Sequence, residues 1–319
     1  MNRAFIFPGQ GSQTLGMGKD FYDSEAVAKE VFRSVDDTLG YSLSDIIFNG
    51  TKENLSKTTN TQPALMATSI AILRAMMQKT GKDIDELCSV VAGHSLGEYT
   101  ALCASGVFTL EDTTKLLKVR ATSMQSASPR GQGAMAACIG ITSSDLQKLL
   151  NKIVTEGVCE IANDNVEGQI VISGHEYNID RIIPILKGNS YKAIKLNVSA
   201  PFHSSLIKAA EEPMKHALNE VDMLPPSIPV IANVSADITS DSKEIKQNLI
   251  SQICGSVRWR ETMDKMAKMD ITHLVEIGSM KVLSNLAKKS PHDFTITSIS
   301  SMEELSEFLE GVREAKNML

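Results

Sequence analysis

The sequence predicts an α/β fold, with helices covering a mostly parallel sheet and a second, smaller unit inserted into the larger one. Three observations predict it. Short apolar runs alternate with amphipathic helical segments in both the first and last thirds of the chain. A Gly-x-Ser-x-Gly turn joins one such run to a helix at residues 93–97. Residues 131–199 read in the order β-α-β-β-α-β.

Composition narrows what the fold can be used for. The 319 residues suffice for one large domain, or for a large and a small one. Apolar content of 42% and charged content of 22% are ordinary for a soluble globular protein. A net charge of −6 argues against nucleic acid as the main partner, because phosphate backbones need a basic footprint. The five cysteines, Cys88, Cys103, Cys138, Cys159 and Cys254, include no C-x-x-C pair, so neither a disulfide framework nor a metal site is expected. No apolar stretch is long enough to span a bilayer, and the N-terminus is too short in apolar residues for a signal peptide. A cytoplasmic monomer is expected.

Residues 3–7 read as a first buried strand, ended by the loop Pro8-Gly9-Gln10-Gly11-Ser12-Gln13. This loop lacks the Gly-Lys-Ser/Thr ending of a phosphate loop, and Thr14 breaks G-x-G-x-x-G. It is either an ordinary turn or a device bringing a backbone N–H and Gln10 to a reacting centre. Residues 21–39 and 51–57 read as helical or irregular. Thr61-Gln62-Pro63 opens a scaffold helix, with Pro63 in its first turn and an end near Gly81.

Next, Val90, Val91 and Ala92 enter the turn Gly93-His94-Ser95-Leu96-Gly97, and an alanine-rich helix leaves it. Such a turn strains the serine backbone and lifts its hydroxyl above the strand end, where the following helix aims its N–H groups. Ser95 is the candidate nucleophile and the Leu96 N–H a candidate oxyanion donor; a plain glycine turn is the bland alternative. Thr109 then caps another helix, with Glu111 and Asp112 in its first turn. Leu110, Leu117 and Met124 share one face, and Arg120 falls on it. An arginine there either snorkels to solvent or meets an anion, supplied by a structural carboxylate or by a ligand.

The inserted unit follows. Strand 133–139 and helix 142–154 come first, then strands 158–162 and 169–173 around an Asn163-Asp164-Asn165 turn, helix 176–186 and strand 192–198. That order is ferredoxin-like, giving a small domain at 131–199 inside a large one formed by 1–130 and 200–319. His203 stands just after the insert, before a helix at 206–218. It is the candidate base for Ser95, with a structural role as the alternative. His216, His273 and His292 have no comparable context, His175 reads as a surface residue, and His94 is expected on the opposite side of the turn from Ser95.

The last third alternates again: strand 228–234, helices 243–253 and 259–269, strand 273–277, helix 281–288, strand 294–298 and a C-terminal helix. Alternation on both sides of the insert implies an α/β-hydrolase-like, mostly parallel sheet. Ligands collect beyond the carboxyl ends of such strands, where the Gly9-Gln10-Gly11 loop and Ser95 both lie.

Several segments together resemble a known family: Phe7 to Gln13, Asn60 to Ala64, Gly93 to Tyr99, Arg120 with Met124-Gln125, and Phe202-His203-Ser204. They occur in the order found in the malonyl-CoA:acyl carrier protein transacylases of bacterial type II fatty acid synthesis, and the resemblance runs from residue 3 to about residue 300. It implies Ser95 as nucleophile, His203 as base, and the backbone N–H groups of Gln10 and Leu96 as the oxyanion hole. It also implies Arg120 as the group that holds the malonyl carboxylate, and Gln252 as a residue that orients the histidine. Phe202, Asn165 and His94 are pocket candidates, Phe202 because its ring would crowd an α-methyl group. No bound cofactor or metal is implied; the substrates are malonyl-CoA and phosphopantetheinylated acyl carrier protein.

One departure stands in Gly278-Ser279-Met280-Lys281, where the family usually has glycine in place of Met280. The acidic carrier calls for a local basic patch, with Lys192, Lys195, Arg258, Arg260, Lys288 and Lys289 as candidates. The competing function is a serine hydrolase or thioesterase of the α/β-hydrolase type, which would take His273 or His292 as its late histidine. A docking subunit without activity would leave the serine, histidine and arginine unused.

Overall fold

The computed structural model describes residues 2–128 and 131–317. Its strands are β1 (Arg3–Phe7), β2 (Val90–Gly93), β3 (Gly133–Ile139), β4 (Cys159–Val166), β5 (Gln169–His175), β6 (Lys192–Lys195), β7 (Val230–Ile231), β8 (Ile238–Thr239), β9 (His273–Ile277) and β10 (Thr295–Ile299). They form two sheets.

The larger sheet is mixed, in the order β10-β9-β1-β2-β7-β8, and only the β7–β8 pair is antiparallel. β1 and β2 are buried at every residue, as strands covered on both faces must be. Their two-residue alternation divides the core. Phe5, Phe7, Val91 and Val275 pack with the helix Thr58–Thr80 on one face. Ala4, Ile6, Val90 and Ala92 pack with Trp259 and Met263 of the helix Trp259–Lys268 on the other. The register Phe7↔Gly93 brings the ends of β1 and β2 together, so the Gln10 loop and the Ser95 turn emerge side by side.

The smaller sheet runs β4-β5-β3-β6 and is antiparallel throughout. Helices Ser143–Ile153 and Glu176–Gly188 close it, placing Leu146, Leu150, Ile179, Ile182 and Leu186 against Ala136, Ile170 and Ile172. Residues 129 and 130, at the expected boundary of the insert, lie outside the described residues. No described helix is long and apolar enough to cross a membrane.

Several expectations need correction. Asn163-Asp164-Asn165 is not a turn but the far part of β4, and the hairpin turns at Glu167-Gly168, where Gly168 takes φ 75°. Turn-rich composition misled here because β4 is bulged, with register shifts at Ile161/Asn163 and Asp164/Val166. The scaffold helix begins at Thr58, so Pro63 sits in its second turn, where its missing N–H leaves the Thr59 carbonyl without its usual partner. The expected strand 228–234 shrinks to β7, and the expected helix 206–218 divides into a 3-10 turn, Ser205–Ala210, and the helix Glu211–Asn219.

Met280 takes the left-handed conformation that suits glycine, at φ 62°, and is 46% exposed. The Ser279 hydroxyl holds this loop to Thr14 at 3.0 Å. Replacing Met280 with glycine relieves the Cβ strain and removes little packing. Met280→Gly is expected to stabilise the fold by about 1 kcal/mol, read as a raised thermal midpoint.

Candidate active site

The site begins with a steric requirement. A Cβ on Gly93 would lie 1.8 Å from the Gly97 carbonyl oxygen, and one on Gly97 would lie 2.3 Å from the Phe7 carbonyl oxygen. Only glycine permits the turn to fold this tightly against β1. Between them Ser95 takes φ 55° and ψ −111°, outside the regions that suit a side chain, at the cap of the helix Leu96–Ala104. The Asn233 side chain locks that backbone: its Oδ1 accepts from the Ser95 N–H at 2.8 Å, and its Nδ2 donates to the Gly93 carbonyl at 2.7 Å.

Ser95 Oγ lies 2.7 Å from His203 Nε2. His203 also has a positive φ, 55°, and is almost completely buried. Its Nδ1 faces two carbonyl oxygens, Gln252 at 2.9 Å and Gly255 at 3.1 Å, which places the proton on Nδ1 and leaves the Nε2 lone pair for the serine hydroxyl. Burial, and then the positive charge of Arg120, push its pKa down to about 3, so the ring is neutral at physiological pH.

Arg120 is 1% exposed. Nη1 donates to Gln62 Oε1 at 2.8 Å, and Nη2 donates to Gln252 Oε1 at 2.8 Å and to Ser95 Oγ at 3.1 Å. The Tyr99 ring lies 5.4 Å from Cζ, and Nε has no hydrogen-bond partner. Among the described residues no carboxylate forms an ion pair with this guanidinium, so the structural salt bridge left open by the helix pattern is absent. A buried cation without an anion is costly, and its fork opens beside the serine hydroxyl.

The other expected residues gather around the same cavity. Gln10, Leu96, Phe202, Asn165 and His94 all line it, as do Met135, Val171 and Leu196 from the smaller sheet. His94 does not turn away from the serine as expected: its Nε2 lies 2.8 Å from Asn165 Oδ1, across the cavity wall. The Gln252 side chain faces Arg120, while its backbone carbonyl faces the histidine.

The competing histidines are elsewhere. His273 opens β9 at the opposite end of the sheet, bonded through Nε2 to Thr297 Oγ1 at 2.8 Å, and His292 pairs with Asp264 at 2.7 Å. The five cysteines are free, and burial raises every thiol, Cys103 to about 11 and the other four to about 12. Nothing in the sequence pattern marks Asn233, Glu98 or the role of Gln62. Asn233 follows the two-residue β7, and only its position at a strand's carboxyl end could have pointed to it.

A serine on a strained elbow, hydrogen-bonded to a neutral histidine, is equipped to move acyl groups. The acyl transferase domain family matches residues 4–305, and the chain belongs to that family. Within it, the chain is similar over nearly its whole length to proteins described as malonyl CoA-acyl carrier protein transacylases. The Bacillus subtilis (strain 168) protein of that description is 41% identical over 313 residues, spanning 98% of this chain and 97% of its own. The crystal structure of acyl-carrier-protein-S-malonyltransferase from Bartonella henselae gives a TM-score of 0.94 at 44% identity, covering 97% of this chain and 99% of that one. A type II PKS acyl-carrier protein in complex with its malonyl-transacylase offers a third comparison. It gives a TM-score of 0.93 at 34% identity and covers 98% of this chain and 100% of that one.

Proposed function

We propose that the protein transfers the malonyl group from malonyl-CoA to the phosphopantetheine thiol of acyl carrier protein, through an ester on Ser95, for fatty acid biosynthesis. One observation carries this: a buried guanidinium, with no direct ion pair among the described residues, whose Nη2 lies 3.1 Å from the same hydroxyl that meets His203 at 2.7 Å. A neutral acyl group has no use for such a cation. An acyl group ending in a carboxylate supplies the missing anion.

In the first step Ser95 Oγ bonds to the thioester carbonyl carbon while its proton passes to His203 Nε2. The carbonyl oxygen takes the negative charge, and the Gln10 and Leu96 N–H groups stabilise it. The C–S bond then breaks, and His203 returns the proton to the departing coenzyme A sulfur. In the second step the carrier thiol gives its proton to His203 and attacks the ester carbonyl, the Ser95 Oγ–C bond breaks, and His203 returns the proton to Ser95 Oγ. Arg120 holds the malonyl carboxylate through both steps. Gln252 contributes twice, its carbonyl orienting His203 and its side chain orienting Arg120, while Phe202, Asn165 and His94 shape the wall. Serine, histidine and arginine supply all the chemistry, and no cofactor is required.

In this proposal the large unit, 1–130 with 200–319, is α/β-hydrolase-like and the insert 131–199 is ferredoxin-like, with the acyl group held between them in a cytoplasmic monomer. Of the six basic candidates for carrier docking, Lys195, Arg258 and Arg260 are already paired with acids. Lys289 donates to Gln169, a residue of the cavity wall, at 3.2 Å and is the best placed.

Intact mass spectrometry tests the proposal. Malonyl-CoA without carrier should leave one malonyl group on the enzyme, absent in Ser95→Ala and discharged by carrier thiol. Rapid turnover to free malonate in the absence of carrier would instead mark a hydrolase.

A further inference from the structure

Glu98 is 1% exposed and lies three residues after the nucleophile, in the first turn of the helix Leu96–Ala104. Its Oε2 accepts from the Asn233 N–H at 3.0 Å and from Gln252 Nε2 at 2.7 Å. The other end of the same amide, Gln252 Oε1, accepts from Arg120 Nη2 at 2.8 Å. Gln252 therefore forms a bridge of two short hydrogen bonds between a buried carboxyl group and a buried guanidinium that has no direct ion pair. Reversing the amide would set donor against donor at Arg120 and acceptor against acceptor at Glu98, so the bridge has one orientation.

We propose that Glu98 is the resting counter-ion of Arg120, coupled to it through Gln252, and that its ionisation sets how strongly the site favours an acyl group carrying its own carboxylate. This rests on the malonyl-transfer reading above. When the substrate carboxylate arrives, two anions address one guanidinium. Ionised Glu98 weakens the incoming carboxylate, and protonated Glu98 yields to it; by linkage the bound carboxylate raises the Glu98 pKa in return.

Burial places the Glu98 carboxyl at about 7, against the opposing pull of its Asn233 and Gln252 hydrogen bonds and the Arg120 charge. Burial raises the Tyr99 hydroxyl and lowers His203, to about 3, and His94, moving each away from neutral pH, while the Arg120 guanidinium stays protonated although burial lowers its pKa.

The test measures KM for malonyl-CoA and acetyl-CoA between about pH 6 and 8.5, in the wild type and in Glu98→Gln. The glutamine keeps an accepting oxygen and loses the charge. The ratio of the two constants cancels the titration of coenzyme A, which both thioesters share. In the wild type the malonyl-to-acetyl KM ratio should rise about five-fold across pH 7. In Glu98→Gln it should stay at the low-pH value throughout. A purely structural role would move both thioesters together. A flat wild-type ratio overturns the inference even if the variant fails to fold, as does a Glu98→Gln ratio that still rises with pH. A wild type that forms no malonyl ester on Ser95 overturns the underlying reading as well, which separates the two failures.

Discussion

Arg120→Ala is expected to lower kcat/KM for malonyl-CoA by roughly two orders of magnitude, about 3 kcal/mol, while acetyl transfer is spared or rises. The size follows from losing a charged, desolvated hydrogen-bond pair with the substrate carboxylate, made through a planar fork that lysine or glutamine cannot reproduce. The direction of the acetyl effect follows from what Arg120 does when no carboxylate is present: it is a buried cation that repels the proton developing on His203. The loss is not expected to come from unfolding. Burial lowers the Arg120 pKa, its Nε makes no hydrogen bond, and no acid among the described residues pairs with it directly, so the wild-type fold carries a desolvation penalty that the alanine variant escapes. Thermal melts of Arg120→Ala beside activity on the two thioesters check both halves. Equal losses on malonyl and acetyl thioesters would remove the carboxylate role.

Much of this site can be read from the sequence because its geometry is local. Two glycines two residues either side of Ser95 announce a turn that no Cβ would survive, and the flanking strand and helix fix which way the hydroxyl points. Arg120 is legible for a different reason: a cation on the apolar face of a helix needs an anion, whether structural or brought in. The pattern could not choose between these, because the guanidinium is bonded to amides 58 and 132 positions away in sequence instead of directly to an acid.

Asn233 and Glu98 are not legible in the sequence, and Gln252 is named there only through the resemblance, as an orienter of the histidine and not of Arg120. Their roles arise from packing the ends of β2, β7 and the helix Ser242–Gln252 against the start of the helix Leu96–Ala104, and each residue type is unremarkable where it stands. The misplaced turn at Asn163-Asp164-Asn165 has a physical cause too. Asparagines usually favour turns, but here Asn163 and Asn165 line the cavity from a bulged strand edge, so turn-forming composition marks a functional wall.

Replacing His203 with alanine is expected to slow acylation of Ser95 by roughly 10³-fold, the usual worth of a positioned base. The pH profile is the sharper expectation. Burial and the Arg120 charge depress the His203 pKa to about 3 from the ordinary 6.5, so the neutral base persists far into acid. Inactivation of Ser95 by an uncharged sulfonyl fluoride, which brings no carboxylate to neutralise Arg120, should therefore stay level from about pH 8 to pH 5 and fall only below that. In Arg120→Ala the larger of the two charge effects that depress the His203 pKa is gone, and the acid limb should move upward. The stability consequence has the opposite face. Below pH 6.5 the unfolded chain protonates this histidine and the folded chain does not, so its contribution to stability is present above 6.5 and is lost as pH falls from 6.5 towards 3. His203→Ala should lose less stability over that interval than the wild type. An acid limb near 6.5 in the wild-type inactivation profile would mean that the ring is solvated, and that it does not sit against Arg120 as described.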